Sequence, residues 1–449
     1  MLNKIKPQLF ALTNGSFLAM FRILFGLSMA YNELYYIKAR LVDDGFFAPS
    51  LLFPYTGFEF IKPMSQSNMH SLILLMLLCD ILIALGLFFR AACVTFSIGT
   101  FYILMLDKGI YNNHIYMFSL VALILAFTNA HNQYSIKSLF TKAKTNLVPV
   151  WNVWLLRFQV IVVYFFGGIA KLNYDWIINQ EPTKSYLQTS GITNQMLVSF
   201  FTYGGIIFDL GIGFALLFKR TRLAAFILVI LFNITNHNLF NDIGVFPFVM
   251  LATSILFFNP EDFSIFNKKV IEQDKKKKKE TTIEEQKNNV VAKSNTPLFE
   301  NFAMLAISIF VAFQILFPLR FLLYTNDPNW TGENNYFAWH MKSQVRDIKE
   351  LNFYIEDSNK VKYPVKINTF INPMQILALS KDPRMLLPLG KFLENLAKEK
   401  KISTPKITAK FKVSYNNKPA QYLVDTNINL ATLQYQYGKN IDWLKPKVE

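Results

Sequence analysis

The chain has 449 residues, of which 52% are hydrophobic and 17% charged, whereas soluble proteins carry about a quarter charged residues. Its net charge is +16, but the basic residues occupy short loops, one polylysine segment and the C-terminal part, which favours a membrane surface over nucleic acid. Cys79 and Cys93 both lie inside apolar runs, so no disulfide framework or cysteine-based metal site is indicated.

Nine apolar segments have roughly the length needed to cross about 30 Å of hydrocarbon as helices. The first continues without a clear cleavage site, which predicts a retained helix rather than a signal peptide. The third and eighth are short, as re-entrant or tilted segments are, so about 8 to 9 transmembrane helices are expected. The predicted spans are residues 16–37, 69–89, 92–106, 113–130, 150–171, 197–218, 222–240, 243–258 and 301–324.

An internal repeat relates the second span to the sixth. CDILIALGLFFRAACVTF begins at Cys79 and resembles FDLGIGFALLFKRTRLAAF, which begins at Phe208. In each segment an acidic residue opens an apolar run that a basic residue closes. Asp80 and Asp209 are therefore predicted to be intramembrane or interfacial carboxylates, which are often functional. The alternative is that they cap helix ends or pair with neighbouring residues.

The composition changes twice in the last third of the chain. Residues 268–295 include a polylysine run and no aromatic residue, which predicts a disordered linker. Beyond Tyr324 the stretches KITAKFKVSY and PAQYLVDT are typical of strands, with one helix expected near residues 383–399. The fold class is thus a multi-pass α-helical membrane protein with a C-terminal, mostly-β soluble domain. The expected units are residues 1–262, a linker at 263–298, a final transmembrane helix at 299–326 and an outer domain at 327–449.

Basic residues are concentrated in the loops that follow the even-numbered spans, which predicts that these loops are cytoplasmic. The ninth span then delivers the C-terminal domain to the lumen or periplasm. On this topology His114, Lys171 and His237 all reach the outer face, which suits a site between a membrane-borne molecule and an extracytoplasmic one. Taken singly, each has a simpler interpretation as a snorkelling or hydrogen-bonding group at a helix end.

Five segments carry a family resemblance. YFFGGIAKLNYDWI at residues 164–177, YNNHIYM at 111–117 and NHNLFNDIGVFPFVMLA at 236–252 resemble segments of the vitamin K-dependent gamma-carboxylases, within the HTTM (horizontally transferred transmembrane) group. DPNWTGENNYFAWHMKSQVRD from Asp327 and VDTNINLATLQYQYGKNIDWLKP resemble the ends of that family's lumenal domain. The chain departs from the family in having Ala170 where animal members tend to have a second lysine, and in its shorter length.

The resemblance implies a reaction in which reduced vitamin K (the hydroquinone), O2 and CO2 convert a protein glutamate to gamma-carboxyglutamate, with vitamin K leaving as its epoxide. Lys171 occupies the position of the catalytic base, a role that requires a neutral amine. His114 is expected to hydrogen-bond the quinone or the glutamate. The candidate cofactor-binding residues are His237, Gly167, Gly168, Tyr164 and Trp176.

Several alternatives remain open from the sequence. Gly167 and Gly168 are also typical of close helix packing, and the aromatic residues are also typical of an interfacial belt. The five histidines form no zinc-type pattern, so no metal is expected. The expected partners are membrane lipid or quinone and a glutamate-containing protein or peptide, with no nucleic acid. Two other functions fit: a hydroquinone epoxidase without protein carboxylation, and a non-enzymatic membrane module or transporter.

Overall fold

The computed structural model describes residues 2–140, 146–240, 243–260, 262, 297–333 and 335–447. The polylysine linker predicted at 263–298 lies outside the described residues, apart from its last two. The amino-terminal part contains a two-stranded antiparallel sheet, β1 Leu12–Asn14 with β2 Leu147–Pro149. Its helices are α1 Leu2–Phe10, α2 Ser16–Lys38, α3 Gln66–Leu85, α4 Phe89–Leu106, α5 Asn113–Phe127, α6 Ile136–Phe140, α7 Val150–Ala170, α8 Tyr174–Ile177, α9 Thr183–Thr189, α10 Gln195–Leu217, α11 Arg222–Leu239, α12 Phe246–Ser254 and, after the undescribed residues, α13 Pro297–Leu316.

Each predicted span overlaps one helix of the described chain, with bounds that differ by up to eight residues. Six helices (α3, α4, α7, α10, α11 and α13) are long and apolar enough to cross a membrane, judged by length and composition. Helices α5 and α12 are apolar but shorter, and α2 has 23 residues but contains Arg22 and Glu33. The structure thus supports a multi-pass helical protein with six candidate spans among the described residues. The total of 8 to 9 transmembrane helices stays a prediction.

Glycine residues allow the helices of this bundle to pack closely. A Cβ on Gly26 would lie 2.7 Å from the carbonyl oxygen of Asp80 and 2.6 Å from the amide nitrogen of Ala84, so α2 and α3 touch backbone to backbone. Helix α3 begins at the cap Ser65 and ends at Gly86, whose φ of 70° is left-handed. The turn after Gly86 reverses the chain into α4.

The C-terminal domain contains a four-stranded antiparallel sheet in the order β4–β3–β5–β6. The strands are β3 Arg346–Glu356, β4 Lys362–Val365, β5 Lys406–Tyr415 and β6 Gln421–Tyr422. The helices are α14 Pro328–Thr331, α15 Pro373–Lys381 and α16 Leu386–Glu399. The sheet and the helix predicted near 383–399 are present. The domain contains helices and strands together rather than being mostly β, and its helix α15 was not predicted from the sequence.

The C-terminal domain packs against the loops that follow the first, third and fifth predicted spans. From the first loop, Phe53 is fully buried within the hydrophobic core of the domain. From the loop after α4, the Asp107 carboxylate accepts a hydrogen bond from the Gln375 side chain at 2.5 Å. From the loop after α7, Glu181 accepts one from the Asn417 side chain at 3.2 Å. These loops therefore share one face of the bundle with the domain, as the predicted topology requires.

Candidate functional site

Lys171 is the first residue after α7, at the end of the bundle that faces the C-terminal domain. Its ammonium group donates a short hydrogen bond to the Asp209 carboxylate of α10. It also lies 5.2 Å from the centre of the Trp176 ring, a distance at which a cation is attracted to an aromatic face. Lys171 is 8% exposed and Asp209 4% exposed. The predicted base is thus half of a buried ion pair, and it does not snorkel to the surface.

The two glycines before Lys171 have different surroundings. A Cβ on Gly168 would lie 2.8 Å from the Leu210 side chain and 3.0 Å from the Leu210 amide nitrogen, so Gly168 is required for the close approach of α7 and α10. A Cβ on Gly167 would meet the end of Met341 at 3.3 Å and the Asp209 carboxylate at 3.5 Å. Gly167 therefore borders the ion pair and the C-terminal domain.

The aromatic candidates Tyr164 and Trp176 are buried among helices, with exposed fractions of 3% and 5%. The Trp176 indole nitrogen donates to the Thr202 carbonyl oxygen at 3.2 Å. The Tyr164 ring packs edge-on against Phe208, and its hydroxyl accepts a 3.4 Å hydrogen bond from Asn233. Neither residue has the surroundings of an interfacial belt, where the ring contacts lipid and the polar end contacts water.

The two candidate histidines both contact α12. The His114 ring is stacked on Phe246 with centroids 3.9 Å apart, and its amide is capped by the Asn112 side chain at 2.9 Å. His237 is exposed, and its ring makes an edge contact with Phe248. Both contacts fall on the first turn of α12, but residues two apart on a helix point to different sides of it.

A segment of the C-terminal domain, residues 336–342, enters the end of the helical bundle. Trp339 is fully buried in the hydrophobic core of the bundle and stacks on Tyr116 with centroids 5.0 Å apart. The His340 carbonyl oxygen accepts a 3.0 Å hydrogen bond from Asn113, the neighbour of His114. Met341 meets Gly167, as described above. This inserted segment thus contacts both α5 beside His114 and α7 beside Lys171.

The inserted segment is held in a strained conformation. Phe337, Trp339 and Lys342 have φ values of 58°, 62° and 50°, which are unfavourable for residues with a Cβ. The indole nitrogen of Trp339 is buried without a hydrogen-bond partner among the described residues, a costly state that a bound acceptor would relieve. Burial also lowers the pKa of His340 to about 4, so its imidazole is neutral at pH 7.

A salt-bridge cluster joins the loop after α7 to the C-terminal domain. The Asp175 carboxylate accepts from Lys418 at 2.9 Å and from Lys447 at 3.2 Å, and Lys447 also contacts Asp327 at 2.5 Å. Burial alone would raise the pKa of Asp175, but the two ammonium groups outweigh it and hold the pKa below its usual value. Burial opposes the charge of Lys447, yet its two carboxylate partners raise its pKa.

Sequence reasoning missed the partnership of Lys171 with Asp209 and the position of Trp339. The repeat had marked Asp209 as an unusual carboxylate, but nothing in the sequence connects it to a lysine 38 positions earlier. Trp339 had no assigned role. Within the bundle, the buried Gln159 side chain donates a hydrogen bond to Gln314 at 3.5 Å. Among the described residues, no group of three or more His, Cys, Asp or Glu side chains could hold a metal ion.

Two family models match the chain. Residues 10–261 match the HTTM domain, and residues 299–449 match the lumenal domain of the vitamin K-dependent gamma-carboxylases. No solved structure matches. The first match covers more than half of the chain and contains Lys171, Asp209 and both candidate histidines. The second contains the inserted segment.

Proposed function

This chain belongs to the vitamin K-dependent gamma-carboxylase family of HTTM membrane proteins, and on that basis we propose that it couples epoxidation of reduced vitamin K to carboxylation of protein glutamate. The observation that carries the proposal is the location of Lys171. This lysine is buried at the junction between the helical bundle and the lumenal domain, where a lipophilic molecule and a protein substrate would meet.

Lys171 is proposed as the base that deprotonates the hydroquinone. A lysine accepts a proton only as the neutral amine, and the buried contact with Asp209 provides a way to reach that form. Transfer of one proton from the ammonium group to the carboxylate converts the ion pair into a neutral pair, and an apolar environment reduces the cost of that conversion. The amine then accepts the hydroquinone proton and becomes an ammonium again, whose charge the hydroquinone anion offsets, while the protonated Asp209 positions the lysine through a hydrogen bond.

The surroundings of Lys171 fit a planar, largely apolar ring. Gly167 presents no side chain toward Asp209 and the inserted segment, Trp176 and Tyr164 provide buried aromatic surfaces, and the Trp339 indole N–H is available to an acceptor oxygen. Gly168 is explained by helix packing, so its proposed contribution is indirect. Reduced vitamin K supplies, with O2, the strong base that removes the γ-proton of the substrate glutamate before CO2 adds.

His114 is proposed to hydrogen-bond the quinone oxygen or the glutamate carboxylate. Its ring is oriented by stacking on Phe246 and its backbone by the Asn112 cap, so a ring nitrogen is presented in a defined direction. His237 contacts the same helix through Phe248, and we propose a cofactor-binding role for it. The inserted segment contacts α5 next to His114 and α7 near Lys171. A glutamate-containing protein bound to the lumenal domain would therefore reach the site beside this segment.

The test is oxygen-dependent conversion of reduced vitamin K to its epoxide by purified protein in detergent. Wild type is compared with Lys171→Ala and with Lys410→Ala, which alters an exposed lysine on β5. We expect turnover by wild type and Lys410→Ala, and a loss of at least about 100-fold in Lys171→Ala, the contribution of a positioned base. Equal turnover by all three proteins would contradict the assignment of Lys171.

Incorporation of labelled CO2 into a glutamate peptide separates carboxylation from epoxidation alone. Incorporation that depends on Lys171 supports the full reaction. Epoxide formation without incorporation, across several glutamate peptides, would instead identify a hydroquinone epoxidase. If a well-folded wild type converts no quinone, the function that remains is a non-enzymatic membrane module or transporter on the same scaffold.

A further inference from the structure

The internal repeat corresponds to two similar arrangements of helices. In one, Asp209 of α10 lies opposite the glycines of α7, and the ionisable residue farther along α7 is Lys171. In the other, Asp80 of α3 lies opposite Gly26 of α2, and the ionisable residue farther along α2 is Glu33. The second half of the bundle therefore contains an acid and a base, whereas the first half contains two acids.

Neither acid of the first half is neutralised by a cation in the described part of the chain. Asp80 is fully buried, and both of its carboxylate oxygens lack a hydrogen-bond partner there. Glu33 is 1% exposed, and its Oε2 likewise has no partner. The two side chains are close enough to interact electrostatically. Two negative charges in this position would be costly, because both side chains are buried and no cation among the described residues offsets them.

Glu33 lines a small cavity between α2, α3, α4 and α5. The other polar residues around the cavity are Asn32, Tyr36 and Thr100, and the remaining walls are apolar. The Thr100 hydroxyl is also buried without a partner among the described residues. The space open to the centre of a water molecule is about 10 Å³. That is close to the minimum for one water, which needs two to four polar partners.

We propose that Glu33 and Asp80 form a proton-binding site in which each of the two side chains holds a proton, and that one water molecule in the cavity bridges Glu33 to Thr100. A neutral carboxylic acid keeps one donor and its acceptor oxygens, so it satisfies the water without an uncompensated charge. The site is separate from the Lys171–Asp209 pair and does not depend on the proposed carboxylase reaction. It gives the first half of the bundle a place to bind protons at membrane depth.

The other titratable groups around the two acids are few. On α2 they are Tyr36, beside Glu33, and Arg22, whose guanidinium donates to the carbonyl oxygens of Ile83 at 3.0 Å and Tyr134 at 2.6 Å. On α3 and α4 they are Cys79 and Cys93, both near Asp80. The arginine is engaged by backbone carbonyl groups, so it does not take the place of the proton.

Infrared spectroscopy of the full-length protein in lipid nanodiscs tests the site directly. At pH 7 we expect a carbonyl stretching band of protonated carboxylic acid that shifts to lower frequency in D2O. Glu33→Gln and Asp80→Asn, both close in shape to the natural residues, should each remove or displace it. Thr100→Val should raise its frequency, because the carboxyl loses a water-mediated hydrogen bond. Glu394→Gln, which alters a carboxylate paired with Lys398 on α16, should leave it unchanged.

Two results would overturn the proposal. One is a wild-type spectrum at pH 7 without a protonated carboxyl band, and the other is a band that both Glu33→Gln and Asp80→Asn leave unaltered. A band insensitive to Thr100→Val would exclude the bridging water. If the variants fail to fold, wild type with ¹³C-labelled glutamate still tests the proposal, because a band that the label does not shift would exclude a proton on Glu33.

Discussion

A lysine paired with a carboxylate is an unusual candidate for a base, because the pair stabilises the charged ammonium. The pairing of Lys171 with Asp209 becomes useful when both residues are considered together. Burying two opposite charges costs free energy that their attraction only partly offsets, so the charged and neutral forms of a buried pair are closer in energy than they are in water. In the proposed mechanism, the carboxylate that holds the ammonium in place is also the group that accepts its proton.

This argument predicts the effect of Asp209→Asn. Asparagine retains an acceptor oxygen for Lys171 but neither takes a proton nor offsets a charge. We expect kcat for vitamin K epoxidation to fall by about 100-fold, with little change in KM, because the quinone contacts are preserved. The double variant Lys171→Ala/Asp209→Asn should lose no more activity than Lys171→Ala alone, since residues that act as a unit are not additive. Additive losses, or an unchanged kcat, would assign Asp209 a purely structural role.

For single residues, the sequence indicated candidate site positions but not the residues that they contact. Lys171 and His114 were selected because short segments around them resemble a family, and the structure places both beside the inserted segment. Asp209 was marked as unusual by the repeat, but its contact with Lys171 depends on how α7 packs against α10. Trp339 was not selected, since an aromatic residue in a polar region gives no sign that it fills the core of a distant helical bundle.

The packing of α7 against α10 determines where the end of α7 lies. Gly168 touches the Leu210 backbone, whereas a Cβ on Gly167 would meet the flexible end of Met341 and the Asp209 carboxylate, with the Trp339 carbonyl oxygen at 3.9 Å. Gly168 therefore permits the close approach of the two helices near Lys171, and Gly167 shapes the surface near the proposed base. The adjacent residues should respond differently to the same small substitution.

Alanine substitutions distinguish these roles. Gly168→Ala should separate the helices, costing about 1–3 kcal/mol of stability, and should also reduce turnover by displacing Lys171 from Asp209. Gly167→Ala should fold with near wild-type stability and mainly raise KM for the quinone. Gly211→Ala, on α10 with no atom within 4 Å of the added Cβ, should be neutral or stabilising. Thermal unfolding and epoxidation kinetics measure both properties, and equal behaviour of Gly167→Ala and Gly168→Ala would contradict the assignment.

Long helices were the elements most accessible to sequence reasoning, because a run of about 20 apolar residues has few alternatives to a membrane helix. The predicted first span, 16–37, corresponds to Ser16–Lys38, and the strand KITAKFKVSY corresponds to Lys406–Tyr415. Short elements were less accessible. Helix α15 has nine residues and begins with an Asn372 capping box, and its amphipathic pattern is too brief to separate it from a loop.

The whole molecule depends on docking between a helical bundle and a lumenal domain that share one candidate site. The inserted segment places Trp339 inside the bundle, and salt bridges from Asp175 fix the domain beside the end of α7. Loss of docking would remove one wall of the site without altering Lys171 itself. The stability of this interface should therefore limit activity, and its charged groups make that stability dependent on pH.

Asp175→Asn tests the contribution of this interface. Asp175 is 2% exposed and its pKa is lowered in the folded protein, so its contribution is complete above the unfolded value of about 3.9. It is lost as the pH falls through the lowered folded value. Lys447 has a raised pKa in the folded protein. Its contribution to stability is therefore complete below the unfolded value of about 10.4 and is lost as the pH rises through the folded value. At pH 7 the variant should lose about 3 kcal/mol, the cost of breaking a buried ion pair.

Urea unfolding followed by tryptophan fluorescence, at several pH values, measures this contribution. The difference in free energy of unfolding between wild type and Asp175→Asn should shrink toward zero between pH 4 and pH 2, because the wild-type carboxylate becomes protonated over about that range. Asp442→Asn, which alters an exposed carboxylate of the same domain, should change stability little at any pH. A wild-type advantage that persists at pH 2 would show that Asp175 acts through shape and hydrogen bonding rather than charge, and docking would then rest on the apolar contacts of Phe53 and Trp339.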